Sequence, residues 1–289
     1  FSSFLPVEGL NTSEFTTYLT ANDGTGDVFL SWNSSIHADK YKIYSTDNLL
    51  SPFTFLGETS ELNYTDFEAN QTRKKFYKIS SWNPISENIS EEIIGKTVYY
   101  LKRKENINTR NWIGVYFENN LTQADDALSE INNITSFNMW NSTIQKRVTC
   151  NTFSCPEFPS CTDTNCNFDL VPGTGYEVNL NLSSPVFTNW STIGVIEPSA
   201  TLQLVKNYTS FSKNWISLYY NSSLTNAQEL FSSIPCASTL TDWDEFNQTS
   251  KGYIPSPVPW IPAIGYNFIL EPEKGYEVSV TENCYYTQT

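Results

Sequence analysis

The sequence is poor in the residues on which most catalytic and metal sites depend. Its 289 residues include one histidine, His37, and one methionine, Met139. A histidine-dependent catalytic triad or a histidine-based metal site is therefore not expected. We accordingly predict no catalytic residue, no bound metal and no cofactor, and that the protein is not an enzyme.

Long hydrophobic runs and positive charge are also scarce. The longest apolar stretch, residues 258–270, is interrupted by proline, glycine and asparagine, whereas a membrane-spanning helix needs about 20 consecutive apolar residues. The chain has 17 basic against 31 acidic residues and a net charge of -14, which opposes binding to phosphate backbones. We expect neither membrane insertion nor a nucleic-acid partner.

The chain is instead rich in acceptor sites for N-linked sugars. It begins at Phe1 without an initiator methionine, which favours removal of an export signal. Thirteen Asn-X-Ser/Thr sequons, more than chance placement gives, predict an extracellular glycoprotein of a cell surface. The predicted glycosylation sites are Asn11, Asn33, Asn63, Asn70, Asn88, Asn120, Asn133, Asn141, Asn181, Asn189, Asn207, Asn221 and Asn247.

The six cysteines are unevenly distributed, and their even number in an exported chain predicts disulfides. A zinc site is the alternative for the cluster of four, but such sites usually have two-residue gaps. Within that cluster a nested pairing would pin a loop, although the connectivity stays open. The predicted disulfide cysteines are Cys150, Cys155, Cys161 and Cys166, with a nested pairing of the outer two and the inner two, and Cys236 and Cys284.

The first third of the chain has the pattern of an antiparallel sandwich. Short runs rich in β-branched and aromatic residues alternate with turn residues and read VFLSWN, KYKIYSTD, FTFLGET, LNYTDF and KKFYKISSWN. This stretch, residues 1–96, resembles a fibronectin type III domain. The resemblance implies that Trp32 is the core tryptophan of the second strand and that Tyr41 and Tyr44 are the aromatic pair of the third.

The rest of the chain contains an internal repeat. The segment NWIGVYFENNLTQADDALSEI from Asn111 matches NWISLYYNSSLTNAQELFSSI from Asn214 at nine of 21 positions and an offset of 103. Trp140 and Trp243 keep that offset, and NFDLVPGTGYEV later matches NFILEPEKGYEV at an offset of 100. Two copies of one structural plan are therefore predicted.

Each copy is expected to contain a buried strand, a helix, a tryptophan-bearing strand and a final strand. In the first copy Leu121, Ala124, Leu128 and Ile131 fall on one helical face, with Thr122 as a possible N-cap. Gly175 and Gly275, the glycines of the two Gly-Tyr-Glu-Val motifs, are predicted to lie where a tight turn feeds the final strand.

These motifs resemble a repeat of archaeal and bacterial exported proteins whose signature is WNLISLP followed by PGxGY. Here the motifs read NWIGVYF with PGTGYEV and NWISLYY with PEKGYEV. The resemblance implies an extracellular scaffold architecture. We predict a mostly β protein of three tandem β-sandwich-type domains: 1–96, which is fibronectin-like, 97–195, the first repeat with the cysteine-rich loop, and 196–289, the second repeat.

Two groups of carboxylates contain the two acids that a glycosidase needs. Asp125 and Asp126 are expected on the solvent face of the predicted helix. Asp242, Asp244 and Glu245 flank a repeated tryptophan, but the first repeat has no acids there. Neither group is predicted to be catalytic.

The acidic loop NDGTGD, residues 22–27, is interpreted as a turn rather than a calcium loop, since it lacks a bidentate acid.

The sequence therefore predicts a structural subunit of a surface filament or surface layer, and an adhesin or carbohydrate-binding module is the alternative. The expected partners are copies of the same chain, joined through sandwich edges or the strand-like ends at residues 1–10 and 277–289, together with covalent N-glycans. The alternative rests on the 17 tyrosines and eight tryptophans, whose rings can stack on sugars.

Overall fold

The computed structural model describes residues 17–21, 27–104, 109–115, 117–118, 122–151, 168–181, 186–196, 199–208, 212–256 and 262–288. Within these ranges the chain forms 21 strands, two short α-helices and one 3-10 helix. The strands belong to several antiparallel sheets, which confirms the predicted mostly β, multi-domain sandwich class. Neither described helix is long and apolar enough to cross a bilayer.

The internal contacts divide the chain into two compact units. The first comprises Phe1–Thr97 and Ser191–Ile196, and the second comprises Val98–Trp190 and Glu197–Thr289. The second unit thus contains both repeat motifs, and each repeat has its own hydrophobic core. The division into three domains with the boundaries given above stays a prediction.

The first unit is built from two sheets. One has the strand order β1-β2-β5, and in the other β4, β3, β6 and β8 are successive neighbours, with β7 also paired to β6. Its elements are β1 Thr17–Ala21, β2 Val28–Trp32, β3 Lys40–Thr46, β4 Thr54–Thr59, β5 Asn63–Asp66, the 3-10 helix Ala69–Gln71, β6 Lys74–Trp82, β7 Glu87–Ile89 and the beginning of β8 Ile94–Lys102.

The core of the first unit lies between these sheets. β2 contributes Val28 and Trp32, and β3 contributes Tyr41 and Ile43. The rings of Trp32 and Tyr41 are 5.4 Å apart. Trp32 is buried, as the resemblance implies for a core tryptophan. β3 buries Tyr41 and Ile43 on one face, while Tyr44 is only half-buried.

The second unit contains the two repeats in succession. Its elements are the end of β8, β9 Thr109–Gly114, β10 Phe117–Glu118, α1 Ala124–Glu130, β11 Ile134–Asn141, β12 Lys146–Asn151, β13 Gly175–Leu180, the beginning of β14 Phe187–Ile196, β15 Ala200–Leu204, β16 Lys213–Ser217, α2 Ala227–Ser233, β17 Ala237–Asp244, β18 Thr249–Ile254, β19 Ile264–Gly265, β20 Gly275–Val280 and β21 Cys284–Gln288.

The two repeats each form a separate sheet, and the two sheets have equivalent strand orders. Repeat 1 has the strand order β12-β11-β13-β9, and repeat 2 has β18-β17-β20-β16 with the short β19 added beside β18. Both sheets have an irregular register near the start of the tryptophan-bearing strand, between Ile134 and Ser136 and between Ala237 and Thr239. Since these positions differ by 103, the repeat predicted from the sequence extends to the detail of the strand register.

The asparagine of each Asn-Trp-Ile motif clamps the strand that precedes it. Asn111 accepts a hydrogen bond from the backbone N–H of Lys102 (2.7 Å) and donates to its carbonyl (3.0 Å). Asn214 does the same with Val205, at 2.8 and 3.2 Å. The paired bonds identify β8 and β15 as equivalent strands, again at an offset of 103.

The predicted helix is present in both repeats, and its core-facing side is as expected. Ala124 and Leu128 of α1 are buried, as is Ile131 directly after it, and Leu121 lies outside the described residues. The predicted cap is wrong, because the N-cap is Gln123. The reason is that the carboxylate of Asp126 accepts the backbone N–H groups of both Thr122 and Gln123, so the first helical turn begins one residue later.

The turn before the final strand is closed by an equivalent backbone hydrogen bond in each repeat. Thr174 donates to Val171 at 3.1 Å, and Lys274 donates to Glu271 at 3.0 Å. In repeat 1 the third residue of the turn is Gly173, whose φ of 84 suits glycine in a type II turn. The equivalent residue of repeat 2 is a glutamate, so the two turns differ in type.

Gly175 and Gly275 lie where the turn leads into the final strand, as predicted, but neither belongs to the turn itself. They are the first residues of β13 and β20, after the turn has closed. A Cβ atom on Gly175 would lie 2.7 Å from the Ile216 carbonyl oxygen, and one on Gly275 would lie 2.8 Å from that of Ile113. Glycine is required here because two backbones approach closely.

Candidate functional site

The tryptophans of the two Asn-Trp-Ile motifs lie on the outer face of their strands. The next residues, Ile113 and Ile216, belong to the two cores, and successive strand residues point to opposite faces. Trp112 and Trp215 therefore point away from both cores, and their ring centroids are 5.5 Å apart. We call the surface where the repeats meet the seam; it comprises Trp112, Trp140, Trp215, Trp243, Arg110, Lys213, Gln145, Gln248, Gly175 and Gly275.

Four tryptophans form a continuous row along the seam. Trp140 packs on Trp215 at 5.8 Å, Trp215 on Trp112 at 5.5 Å, and Trp112 on Trp243 at 5.8 Å. Each of these pairs joins one repeat to the other. Aromatic pairs at such distances stabilise a contact beyond the area that they bury, so the row holds the two repeats together.

Two buried glutamates orient the central tryptophans. Glu177 and Glu277 each accept a hydrogen bond from the indole Nε1 of the Asn-Trp-Ile tryptophan of the same repeat, at 3.3 and 3.2 Å. Glu177 is also paired with Arg147 (2.8 Å), and Glu277 with Lys213 (2.9 Å). These are the glutamates of the Gly-Tyr-Glu-Val motifs, which explains why the motif contains an acid on a buried strand.

A glutamine from each repeat binds the backbone of the other repeat. Gln145 accepts from the Lys213 N–H (2.8 Å) and donates to its carbonyl (3.0 Å). Gln248 forms the same two bonds with Arg110, at 2.8 and 3.0 Å. Both glutamines have positive φ, 52 and 57, and they differ by 103 in number. We did not predict them, although an identical polar residue at the repeat offset was a usable signal.

The acids that flank Trp243 are engaged in ion pairs. Lys274 lies 2.9 Å from Asp242 and 3.3 Å from Glu245, and Asp244 is bonded to Lys251 at 2.9 Å. Burial raises the pKa of Asp242 and of Glu245. Burial also lowers the pKa of Lys274, but the two carboxylates outweigh this effect and its pKa is raised. Each charge is thus neutralised by a neighbour.

The remaining candidate ligands do not converge on one place. Asp126 belongs to the cap of α1 and Asp125 to its first turn. His37 is exposed in a turn and has a φ of 67. Most of the acidic loop at residues 22–27 lies outside the described residues, and the described part of the chain contains no group of three or more His, Cys, Asp or Glu side chains arranged for a metal ion.

Eleven of the thirteen predicted glycosylation sites are described, and none of the eleven is buried. Six are exposed: Asn33, Asn63, Asn70, Asn133, Asn189 and Asn247. Five are half-buried: Asn88, Asn141, Asn181, Asn207 and Asn221. Asn11 and Asn120 lie outside the described residues. Glycosylation itself stays a prediction.

The structure forms a disulfide between Cys236 and Cys284. This bond joins the residue before β17 to the first residue of β21, across 48 residues of sequence. Cys150 is buried and also disulfide-bonded, whereas Cys155, Cys161 and Cys166 lie outside the described residues. The nested pairing within the cluster therefore stays a prediction.

Neither a protein-family model nor a curated protein sequence matches this chain.

Proposed function

We propose that this chain is an extracellular, N-glycosylated structural protein that forms a cell-surface filament or surface layer through contacts between its β-domains. The proposal includes a fibronectin type III-like first domain and two copies of the scaffold repeat, as the sequence motifs indicate. Its partners are further copies of the same chain.

Two features support the extracellular part of the proposal. The described sequon asparagines are all at least partly accessible, so sugars can be attached without unfolding a core. The Cys236–Cys284 disulfide is typical of a protein that matures in an oxidising compartment.

The observation that carries the structural role is an open pair of strands in repeat 2. Within the described residues β15 and β21 form a sheet of two strands and pair only with each other. In repeat 1 the strand equivalent to β21 is β14, which has a second neighbour, β10. The described part of repeat 2 supplies no strand in that place, so a strand from another copy can occupy it by β-addition.

The sequence of this strand pair also favours association. β15 reads ATLQL and β21 reads CYYTQ, without a charged residue or a proline. Natural proteins commonly use lysine or proline on an exposed edge to prevent pairing between chains. The residues 1–10, predicted to be strand-like, are the candidate donor from the neighbouring copy.

The test is assembly of the purified full-length protein at high concentration, followed by electron microscopy and light scattering. Tyr285 on β21 is 68% exposed, so Tyr285→Lys adds charge beside the open edge without disturbing the core. We expect the unmodified protein to form filaments or sheets, and Tyr285→Lys to lower the polymer mass at least severalfold.

Tyr208→Lys is the matched control, because Tyr208 lies in the same repeat and is 82% exposed. It should assemble like the unmodified protein. A protein that stays monomeric at high concentration, or equal assembly of both variants, would contradict the proposal.

An adhesin or carbohydrate-binding module is the second candidate. The exposed rings of Tyr208, Tyr266 and Tyr285 in repeat 2 favour it, since such rings stack on sugars. A glycan array with one clear hit that is lost in Tyr266→Ala would support this candidate, while an array without binding would remove it.

A further inference from the structure

The contacts across the seam occur in pairs that are related by exchanging the two repeats. The two glutamines are the first example, because Gln145 binds the backbone of Lys213 and Gln248 binds that of Arg110. The two glutamines differ by 103 in number, and so do the two residues whose backbone they bind.

The main chains form a second such pair. The Gly114 N–H donates to the Glu273 carbonyl at 3.0 Å, and the Ser217 N–H donates to the Gly173 carbonyl at 2.8 Å. The donors are the equivalent last residues of β9 and β16, and the acceptors are equivalent turn residues of the opposite repeat. Each repeat therefore gives the other the same bond that it receives.

The aromatic and cationic contacts follow the same rule. Trp112 of repeat 1 packs on Trp243 of repeat 2, and Trp215 of repeat 2 packs on Trp140 of repeat 1. At the two ends of the row, the Arg110 guanidinium lies 5.6 Å from the Trp243 ring and the Lys213 ammonium lies 5.8 Å from the Trp140 ring. The ring contacts and the cation contacts at one end of the row are thus repeated at the other.

The centre of this arrangement is the crossing of β13 and β20. A Cβ atom on Gly175 would lie 3.3 Å from the Cα atom of Gly275, and one on Gly275 would lie 3.4 Å from the Cα atom of Gly175. The two equivalent glycines thus face each other, as residues near a two-fold axis do.

A contact in which residue i meets residue j and j in turn meets i is the signature of an isologous interface, normally found between two copies of one protein. We infer that each repeat carries a self-complementary docking surface, that the partner this surface fits is a second copy of the repeat, and that the second unit is a dimer of repeats within one chain.

The inference goes beyond the proposed function, because the seam is already occupied within a single chain. Contacts between chains in a filament or layer must then use other surfaces. The seam also requires no particular linker, since every contact named above is non-covalent and lies outside the connection between β14 and β15.

The test is to cut that connection in the full-length protein. A specific protease site is inserted between Pro198 and Ser199, the folded protein is cleaved, and the products are separated by size exclusion at low micromolar concentration. A non-reducing gel checks that no disulfide joins the fragments, and Cys236–Cys284 lies within the second one. We expect the fragments to elute together, whereas separate elution would overturn the inference.

Exchange between cleaved molecules shows that the surfaces recognise each other anew. Cleaved protein is mixed with a cleaved version that carries a mass tag on the second fragment, and native mass spectrometry follows the mixture. Appearance of tagged and untagged hybrids is expected. Fragments that stay together but never exchange over days would indicate entanglement rather than docking.

Substitutions assign the association to the seam. Gln248→Ala removes two hydrogen bonds to the backbone of repeat 1, and we expect association of the cleaved fragments to weaken about tenfold or more. Gln228→Ala, on the exposed face of α2, is the control and should leave association unchanged.

Gly175→Ala is the stronger substitution, because its Cβ atom would lie 2.7 Å from a backbone oxygen of repeat 2. We expect it to weaken association about a hundredfold. Its control is Gly252→Ala in β18, where the nearest atom would be 4.0 Å away. Equal retention by the seam variants and their controls would overturn the inference, and the glutamine pair decides the matter if Gly175→Ala does not fold.

Discussion

The two repeats of the second unit each contain a sheet of the same strand order, but different contacts hold their peripheral strands in place. In repeat 1, Trp190 of β14 stacks on Tyr99 at 5.0 Å and donates a hydrogen bond to Glu130 at the end of α1 (3.1 Å). In repeat 2, Cys284 at the start of β21 is bonded to Cys236, and the smaller Tyr286 takes the place in the core.

The difference shows which positions the architecture restricts. The asparagine, tryptophan, glycine, tyrosine and glutamate of the motifs are the same in both copies, and each contacts a backbone group, an oriented side chain or the opposite repeat. Among the residues that only fill volume, some are the same, as Ile113 and Ile216 are, and others differ, as Phe137 and its equivalent Leu240 do. Cores tolerate changes of apolar side chain more readily than changes of hydrogen-bond partner.

The largest expected effects come from emptying either core. Phe137 and Leu240 are both 0% exposed, so Phe137→Ala should lower the free energy of unfolding by about 3–5 kcal/mol and Leu240→Ala by about 2–5 kcal/mol. If the seam couples the repeats, each variant shifts a single transition of the whole second unit. Urea unfolding followed by tryptophan fluorescence and circular dichroism measures this.

Phe246→Ala is the control for Phe137→Ala. Because Phe246 is 70% exposed, its truncation should lower the free energy of unfolding only slightly. Two separate transitions, each sensitive to only one core variant, would show that the repeats unfold independently. The two repeats would then be autonomous domains.

Removal of the disulfide is expected to affect repeat 2 alone. The bond closes a loop of 48 residues, for which loop-closure entropy corresponds to about 4 kcal/mol and typical measured values are about 2–4 kcal/mol. The double variant Cys236→Ser with Cys284→Ser should therefore lower stability by about that amount. The amide protons of β21 should exchange faster, while those of β14 keep their protection.

Hydrogen exchange with mass spectrometry measures the protection of the amide protons in β14 and in β21 separately. The variant is preferable to a reducing agent, since Cys150 is also disulfide-bonded and would be reduced too. Equal loss of protection in β14 and β21 would mean that the disulfide supports the whole unit rather than the edge of repeat 2.

The elements of the repeats could be predicted because their signals are local and occur twice. The helix followed from apolar residues on one face, and the strands followed from motifs that keep an offset of 103 or 100. The N-cap could not be predicted correctly, because Thr122 and Gln123 both have polar side chains and only the position of the Asp126 carboxylate distinguishes them.

The seam was missed although the sequence contains a sign of it. Trp112 and Ile113 are adjacent in one strand, so their side chains point to opposite faces, and a strand with two large apolar faces needs a second layer to cover the outer one. The identity of that layer depends on a contact between distant segments. The close backbone approach at the two glycines was missed for the same reason, since glycine suits such an approach and a neighbouring turn equally well.

The smallest expected effect concerns an ion pair that only repeat 2 has. Asp244 accepts the backbone N–H groups of Phe246 and Asn247, at 3.0 and 2.9 Å, and is paired with Lys251. At the equivalent place in repeat 1, Asn141 accepts two backbone N–H groups in the same way. Asp244→Asn should therefore keep the turn and lower stability at neutral pH by about 1 kcal/mol or less.

The acid dependence of this variant tests the assignment. The hydrogen bond from Lys251 holds the pKa of Asp244 below the ordinary value of 3.8. A carboxylate whose folded-state pKa is lowered contributes stability above its unfolded pKa and loses it as the pH falls further. Below pH 3.8 the free energy of unfolding of the unmodified second unit should thus fall toward that of Asp244→Asn. Urea unfolding at successive pH values measures this. Asp47→Asn is the control, because Asp47 is exposed. If the difference in free energy of unfolding between the unmodified protein and Asp244→Asn stays constant down to pH 2, the ion pair does not distinguish the repeats.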